Sequence, residues 1–219
     1  MIMTTITMNS RKINDDSFST RTVADIIDHL YTETVAENEV ITDCLLDGET
    51  YEVGHPHKIF DYKSSEFKKI EFVTKTNLEL GIEALESCPA YIDNMCEKIQ
   101  HLISAYQTQG TGTNELFGDI VDTLDLYIQL MSQIFQILKS NRGDNFKKGD
   151  EIQKLEIHLL SVLKAMLPAK EKEDIIMLTD LLEYELIDNL TQWKIKIVPE
   201  LRREFNSATS KRRPEASNA

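Results

Sequence analysis

From Leu78 onward the apolar residues keep a seven-residue rhythm that few folds can accommodate. Leu78, Ile82, Leu85, Pro89, Ile92, Cys96, Ile99, Ile103 and Tyr106 advance by fours and threes, and so do Phe117, Ile120, Leu124, Tyr127, Met131, Ile134 and Leu138. A mean step near 3.5 residues lays one apolar stripe along a helix, and helices striped in this way bury it by packing nearly antiparallel. Two further stripes follow, Ile152–Leu155–Leu159–Val162–Leu163–Met166 and Ile175–Leu178–Leu182–Leu186–Leu190–Trp193–Ile197. The spacing predicts an antiparallel four-helix bundle over residues 77–205. Pro89 lacks an amide hydrogen and crowds the preceding turn, so the first stripe either kinks there or is shared by two helices meeting at Ser87–Pro89. By the same rule the third helix is expected to stop before Pro168. The fourth, beginning near Glu171, is expected to be disturbed at Pro199.

The intervening segments fit this division. Gln109-Gly110-Thr111-Gly112-Thr113 reads as a flexible link with Thr113 or Asn114 as the next cap, and Gly143 is placed to end the second helix. Glu115, Asp119, Asp122 and Asp125 load the start of that helix while Lys139 and Arg142 sit at its end. This order complements the helix dipole, so those charges have a structural use before any other.

Ahead of the stripes, residues 22–76 read as a small α-β-β-β unit. Thr22 can cap a helix whose Val23, Ile26, Ile27, Leu30 and Tyr31 share a face. Asp47-Gly48 between two β-rich runs is a hairpin signal, because both turn residues need positive φ. Val40, Thr42, Cys44 and Leu46 are expected on one strand face, and Ile70 and Phe72 inward on a third strand. Such a unit is marginal alone and is expected to lean on the helical part. The fold class is therefore α+β and mostly α, with a disordered leader at 1–21 and a disordered tail at 206–219.

Composition removes several functions. The chain has 219 residues and a net charge of −13; both folded parts are net acidic and only the tails are net basic, with one basic cluster at Lys211-Arg212-Arg213. That balance argues against binding nucleic acid, which needs clustered Lys and Arg. The absence of a run of 18 apolar residues argues against a membrane span. Thr, Asn and Ser interrupt the first ten residues, so a secretory leader is not expected and the cytoplasm is the default compartment. Cys44, Cys88 and Cys96 lack CxxC or zinc spacing and read as reduced, buried thiols.

Chemistry finds little footing. A di-iron bundle needs Glu-x-x-His on facing helices, and the single instance, Glu52–His55, lies in a loop with Gly54 and Pro56. His29, His101 and His158 stand on different helices without a carboxylate at i±3 or i±4 on the apolar face, and read as surface or boundary residues. There is no Gly-x-Ser-x-Gly elbow. Gly110–Asn114 opens a helix but lacks the P-loop lysine, and Glu115 and Asp119 would repel an anion there. No catalytic residue, metal or cofactor is expected.

The most informative stretch is Thr179–Trp193. Its leucines supply a stripe, and Asp180, Glu183 and Tyr184 flank it; with Trp193 these are the expected contact surface for another protein. The Asn189-Leu190-Thr191 sequon carries no meaning on a buried helix. The run Asp180-Leu181-Leu182-Glu183-Tyr184-Glu185-Leu186 followed by Trp193 resembles the last helix of poorly characterised bacterial helical-bundle proteins, and VITDCLLDGE resembles their small hairpin. More loosely, an acidic bundle ending in Trp193, Leu201 and Arg202 is similar to the flagellin-type export chaperones. The resemblance implies a non-enzymatic, cytoplasmic, bacterial protein that binds another protein as adaptor, chaperone or regulator. Two alternatives stay open: an acidic inhibitor or immunity-type protein that neutralises a basic partner, and a metal-binding bundle enzyme. A homodimer that completes the bundle in trans is also compatible with the stripes.

Overall fold

The computed structural model describes residues 4–108, 113–143 and 148–210. The expected linker glycines Gly110 and Gly112 and the Lys211–Arg213 cluster lie outside the described residues. The chain divides into two compact units, Met1–Leu80 and Gly81–Ala219. It is mostly helical, with an N-terminal sheet followed by helices.

The first unit is a mixed five-stranded sheet with a helix. Its strands are β1 (Thr5–Met8), β2 (Arg11–Lys12), β3 (Glu39–Leu46), β4 (Glu49–Glu52) and β5 (Lys69–Thr76), ordered β2-β1-β5-β3-β4. Only the β1–β5 pair is parallel. The expected leader at 1–21 is corrected: Thr5–Met8 pair along β5, and Phe18 is buried. The turn from β1 to β2 rests on Asn9 (φ 47°) and Ser10 (φ 65°). Asn9 holds its left-handed conformation by donating Nδ2–H to Thr74 Oγ1 and accepting from the Thr74 amide at Oδ1. Three strands become five as a result.

The Asp47-Gly48 turn forms as the sequence predicts, with φ of 50° and 97°. Asp47 Oδ1 also accepts the amides of Lys68 and Lys69 at 2.9 and 2.8 Å, tying the hairpin to β5. The expected face of β3 is half corrected. Cys44 and Leu46 are buried, but so is Ile41, while Val40 and Thr42 are only partly covered. A bulge between Ile41 and Asp43 explains this, since one extra residue reverses which side chains face inward. Helix α1 (Val23–Glu33) starts on a capping box, in which Asp25 N–H donates to Thr22 Oγ1 and Thr22 N–H to Asp25. It packs Val23, Ile26, Ile27 and Leu30 over Ile70 and Phe72 in one core.

The second unit is built from α2 (Asn77–Gln107), α3 (Thr113–Arg142), α4 (Asp150–Glu171) and a helical run from Ile175 to Ser210. That run comprises α5 (Ile175–Asp180), a π turn (Leu181–Leu186), α6 (Ile187–Gln192), a second π turn (Trp193–Ile197) and α7 (Val198–Ser210). Of the two outcomes open at Pro89, α2 takes the single element and not two helices meeting at Ser87–Pro89. One boundary differs from expectation: α4 continues past Pro168 to Glu171. At Pro89 the missing amide is compensated: Arg202 Nη2 donates to the carbonyl oxygen of Leu85, at 3.1 Å, and to that of Glu86. Leu85 is the residue whose carbonyl a residue-89 amide would have served.

The π turns have a packing reason. Leu178, Leu182, Leu186 and Leu190 follow one another by four, and each such step overshoots an α-helical turn by about 40°. All four are nevertheless fully buried. In the first π turn the Ile187 amide bonds the Leu182 carbonyl, an i→i+5 pairing that widens the turn and keeps the leucines on one face. The second, closed by Val198 N–H to Trp193 O, lies just before Pro199.

Side-chain contacts fix the directions of these helices. Tyr91 on α2 donates to Thr123 O on α3, while Lys98, further along α2, pairs with Asp119, earlier on α3. Lys194 pairs with Asp93, and Arg202 reaches back to Leu85. Lys148 lies 4.0 Å over the Phe135 ring, and Lys170 donates to Asn114. Helix α2 therefore runs antiparallel to α3 and to the last run, and α3 runs antiparallel to α4.

Helix α2 begins its close packing at Gly81. A Cβ built there would lie 2.5 Å from Phe205 Cε1 and 2.7 Å from its Cζ, and Phe205 is fully buried. Gly118, inside α3, would place its Cβ in open space. In a helix interior alanine is normally favoured over glycine by about 0.5–1 kcal/mol. Gly118→Ala is expected to stabilise by that amount, whereas Gly81→Ala should destabilise by about 1–3 kcal/mol through overpacking. Urea unfolding of the two variants side by side checks the opposite signs.

Candidate protein-binding face

The most exposed apolar surface of the helical run is at its start. Asp174 caps α5 by accepting the Met177 amide at 3.0 Å, and Glu173 before it takes φ of 55° to turn the chain out of α4. Leu178 follows the buried stripe, which leaves the off-stripe residues of the first turn outside: Ile176 is 77% exposed and Met177 45%. One π turn later Tyr184 stands 65% exposed. These side chains, with Asp174, Asp180 and Glu185, line a shallow surface groove. Asp180 and Glu183 are exposed as well. An apolar and aromatic strip bordered by carboxylates is thus presented to solvent, with no basic side chain among those lining it.

Of the four residues expected to form a contact surface, the structure brings Asp180 and Tyr184 into this groove and leaves Glu183 beside them. Trp193 is corrected. It is 1% exposed, and its indole meets the Tyr127 ring edge-on, with centroids 6.0 Å apart. Tyr127 in turn stacks on Tyr91. The reason is legible in the stripe itself: Trp193 continues Leu182, Leu186 and Leu190, so its large apolar area goes inward with theirs. Ile176 and Met177 were missed by the sequence argument. The signal available was an apolar pair out of phase with the stripe at a helix start.

A second arrangement joins α4 to this run. Asn189, fully buried, donates to Leu155 O and to His158 Nδ1, at 3.1 and 2.9 Å. With Nδ1 accepting, the His158 ring proton sits on Nε2, which lies 2.9 Å from Glu185 Oε2. The local sequence offers His158 no carboxylate at helical spacing, and its partner Glu185 arrives from another helix. The chain of contacts holds no nucleophile and reads as a polar tie between helices. Asn189 is also inaccessible to any modifying enzyme.

Burial disfavours the thiolate form of all three cysteines. Cys44 and Cys88 are buried, and burial pushes their thiol pKa values up to about 12 and about 11. Cys96 is half-buried and its pKa is also raised, chiefly by burial. Among the described residues no group of three or more His, Cys, Asp or Glu side chains is placed to hold a metal ion. Among them, too, no helix is long and apolar enough to cross a membrane.

Fold and surface together define a helical domain that carries an acidic-rimmed apolar strip. The family model described as "Domain of unknown function (DUF8042)" matches residues 83–196, more than half of the chain, and the chain belongs to that family. The matched span covers α2 to the second π turn, and so includes the groove. No curated protein and no solved structure matches the chain.

Proposed function

We propose that this is a non-enzymatic cytoplasmic adaptor, chaperone or regulator that receives a basic amphipathic segment of another protein on the face of α5 and its following π turn. Its helical unit is, in this reading, a closed antiparallel four-helix bundle whose interior is structural and whose outside binds. The antiparallel ties from α2 to α3, α3 to α4, and the last run to α2 and α4 support the closed arrangement. The observation that carries the binding role is the exposure of Ile176, Met177 and Tyr184 within a ring of carboxylates. Large apolar side chains in water are unfavourable individually, and a contiguous group bordered by one sign of charge fits a partner of the opposite sign. Tyrosine is among the residue types that dominate interface energetics.

A synthetic helix-patterned Lys/Leu peptide tests this on the intact chain. Binding, read by fluorescence anisotropy, is expected to weaken roughly tenfold in Tyr184→Ala, which leaves the net charge unchanged, and further in Ile176→Asp. Added salt should weaken it only in part. An inhibitor acting by charge alone predicts the reverse: steep loss of binding with salt and indifference to Tyr184→Ala.

A further inference from the structure

We infer that protonation of His158 weakens the hold of the α5 groove on a cationic partner, so that the groove binds near neutral pH and releases in mild acid. The inference rests on the reading of that groove as the binding face and adds its regulation. Glu185 belongs to two arrangements at once. Its side chain lines the groove beside Asp174, Asp180 and Tyr184, and its Oε2 lies 2.9 Å from His158 Nε2 on α4. The His158 ring is neutral in this arrangement, because Nδ1 accepts from Asn189 Nδ2 at 2.9 Å and the ring proton sits on Nε2. A neutral ring leaves the charge of Glu185 to the groove.

Beneath the ring, Asn189 is poised for the other state. It is fully buried, and its Oδ1 has no hydrogen-bond partner among the described residues, while its Nδ2 serves both His158 Nδ1 and Leu155 O. A second proton on the imidazole makes Nδ1 a donor and ends the bond from Nδ2. Turning the amide over brings Oδ1 to the new N–H and pairs a buried acceptor, as buried polar groups almost always are. The Leu155 carbonyl gives up its side-chain donor but lies inside α4, where the residue-159 amide serves it. The imidazolium then pairs with Glu185 and offsets one negative charge of the groove rim.

Solvent protons reach the ring, whose side chain is 39% exposed. Among the described residues Glu185 is the one charged group within ion-pair distance of it. Helix α6 meets the ring with the neutral Asn189, and on α4 itself Lys154 precedes it by one turn. Histidine is the side chain whose charge ordinarily changes between about pH 5 and 8. A bound cation and the His158 proton draw on one carboxylate. The complex therefore holds fewer protons than the free chain, and affinity falls as pH falls.

Fluorescence anisotropy with the Lys/Leu peptide, capped at both ends, tests this on the full chain at about pH 7.5 and about pH 5.5 and constant ionic strength. Such a peptide has no group that titrates across this range. The native chain is expected to bind roughly threefold more weakly in acid, the effect of one partly exposed charge pair. None of His29, His55, His57 and His101 lines the groove, so His158→Gln should flatten the dependence at the neutral-pH affinity. Glu185→Gln, at a half-exposed side chain, should flatten it near the acid affinity. In the native chain the side-chain amide proton signals of Asn189 should shift with the same midpoint as the affinity. Equal affinity at the two pH values, or an unaltered dependence in either folded variant, overturns the inference and leaves the binding role of the groove standing. Asn189 signals that stay fixed across the range overturn it as well. Absence of peptide binding at both pH values overturns the inference and the binding role together.

Discussion

Trp193→Ala is expected to cost the helical unit about 3–5 kcal/mol, the range for truncating a fully buried large aromatic. The indole is 1% exposed and sits against the Tyr127 ring of α3, so its removal opens a void in the core of the helical unit. Tyr184→Ala on the same helical run should change stability by no more than about 0.5 kcal/mol, because the ring is 65% exposed. The contrast separates two roles that the sequence places side by side. Urea unfolding followed by far-ultraviolet circular dichroism gives both numbers, and peptide binding reads the separate role of Tyr184. A Trp193→Ala protein of unaltered midpoint would contradict the burial, and a destabilised Tyr184→Ala would remove that residue from the surface.

Arg202→Ala is expected to be the next most damaging substitution, at about 2–3 kcal/mol. Its guanidinium serves the Leu85 and Glu86 carbonyls, and charge-assisted hydrogen bonds of this kind are worth more than neutral ones. The dependence on Pro89 makes the cause testable. Pro89→Ala restores an amide that can bond Leu85 O, and it removes a helix-interior proline that disfavours α2 by up to about 3 kcal/mol. In that background Arg202→Ala should cost about 1 kcal/mol less than in the native chain. A double-mutant cycle measures this coupling directly. Strict additivity would mean that Arg202 acts through packing or general charge and not by replacing the missing amide.

The helical half of the molecule was legible because its signal is repeated: a stripe of apolar residues survives single exceptions. Leu85, Ile92 and Ile99 on α2, and Ile120 to Leu138 on α3, are buried where the rhythm places them. The failures come from contacts across the chain. Pro168 does not end α4 as expected, because tertiary packing outweighs one lost hydrogen bond, and the choice left open at Pro89 is settled for one helix by a substitute donor more than a hundred residues away. The π turns are not visible in composition, although the three successive steps of four from Leu178 hint at them. In the sheet, β1 was missed because four residues, TITM, carry too short an alternation to stand out. Its Asn9-Ser10 turn also lacks the glycine that announces Asp47-Gly48. The bulge in β3 reverses a face that a strict period of two assigns wrongly. At the candidate face, Asp180 and Tyr184 were readable as stripe-flanking residues. Trp193 misled because aromatic side chains mark interfaces and cores alike.

The binding role of the α5 face is tested most directly by amide hydrogen exchange of the full chain with and without the Lys/Leu peptide. Slowed exchange confined to residues 174–188, with α2 and α3 unchanged, is the predicted result. Protection elsewhere on the helical unit or on the sheet, with residues 174–188 exchanging as before, would contradict it.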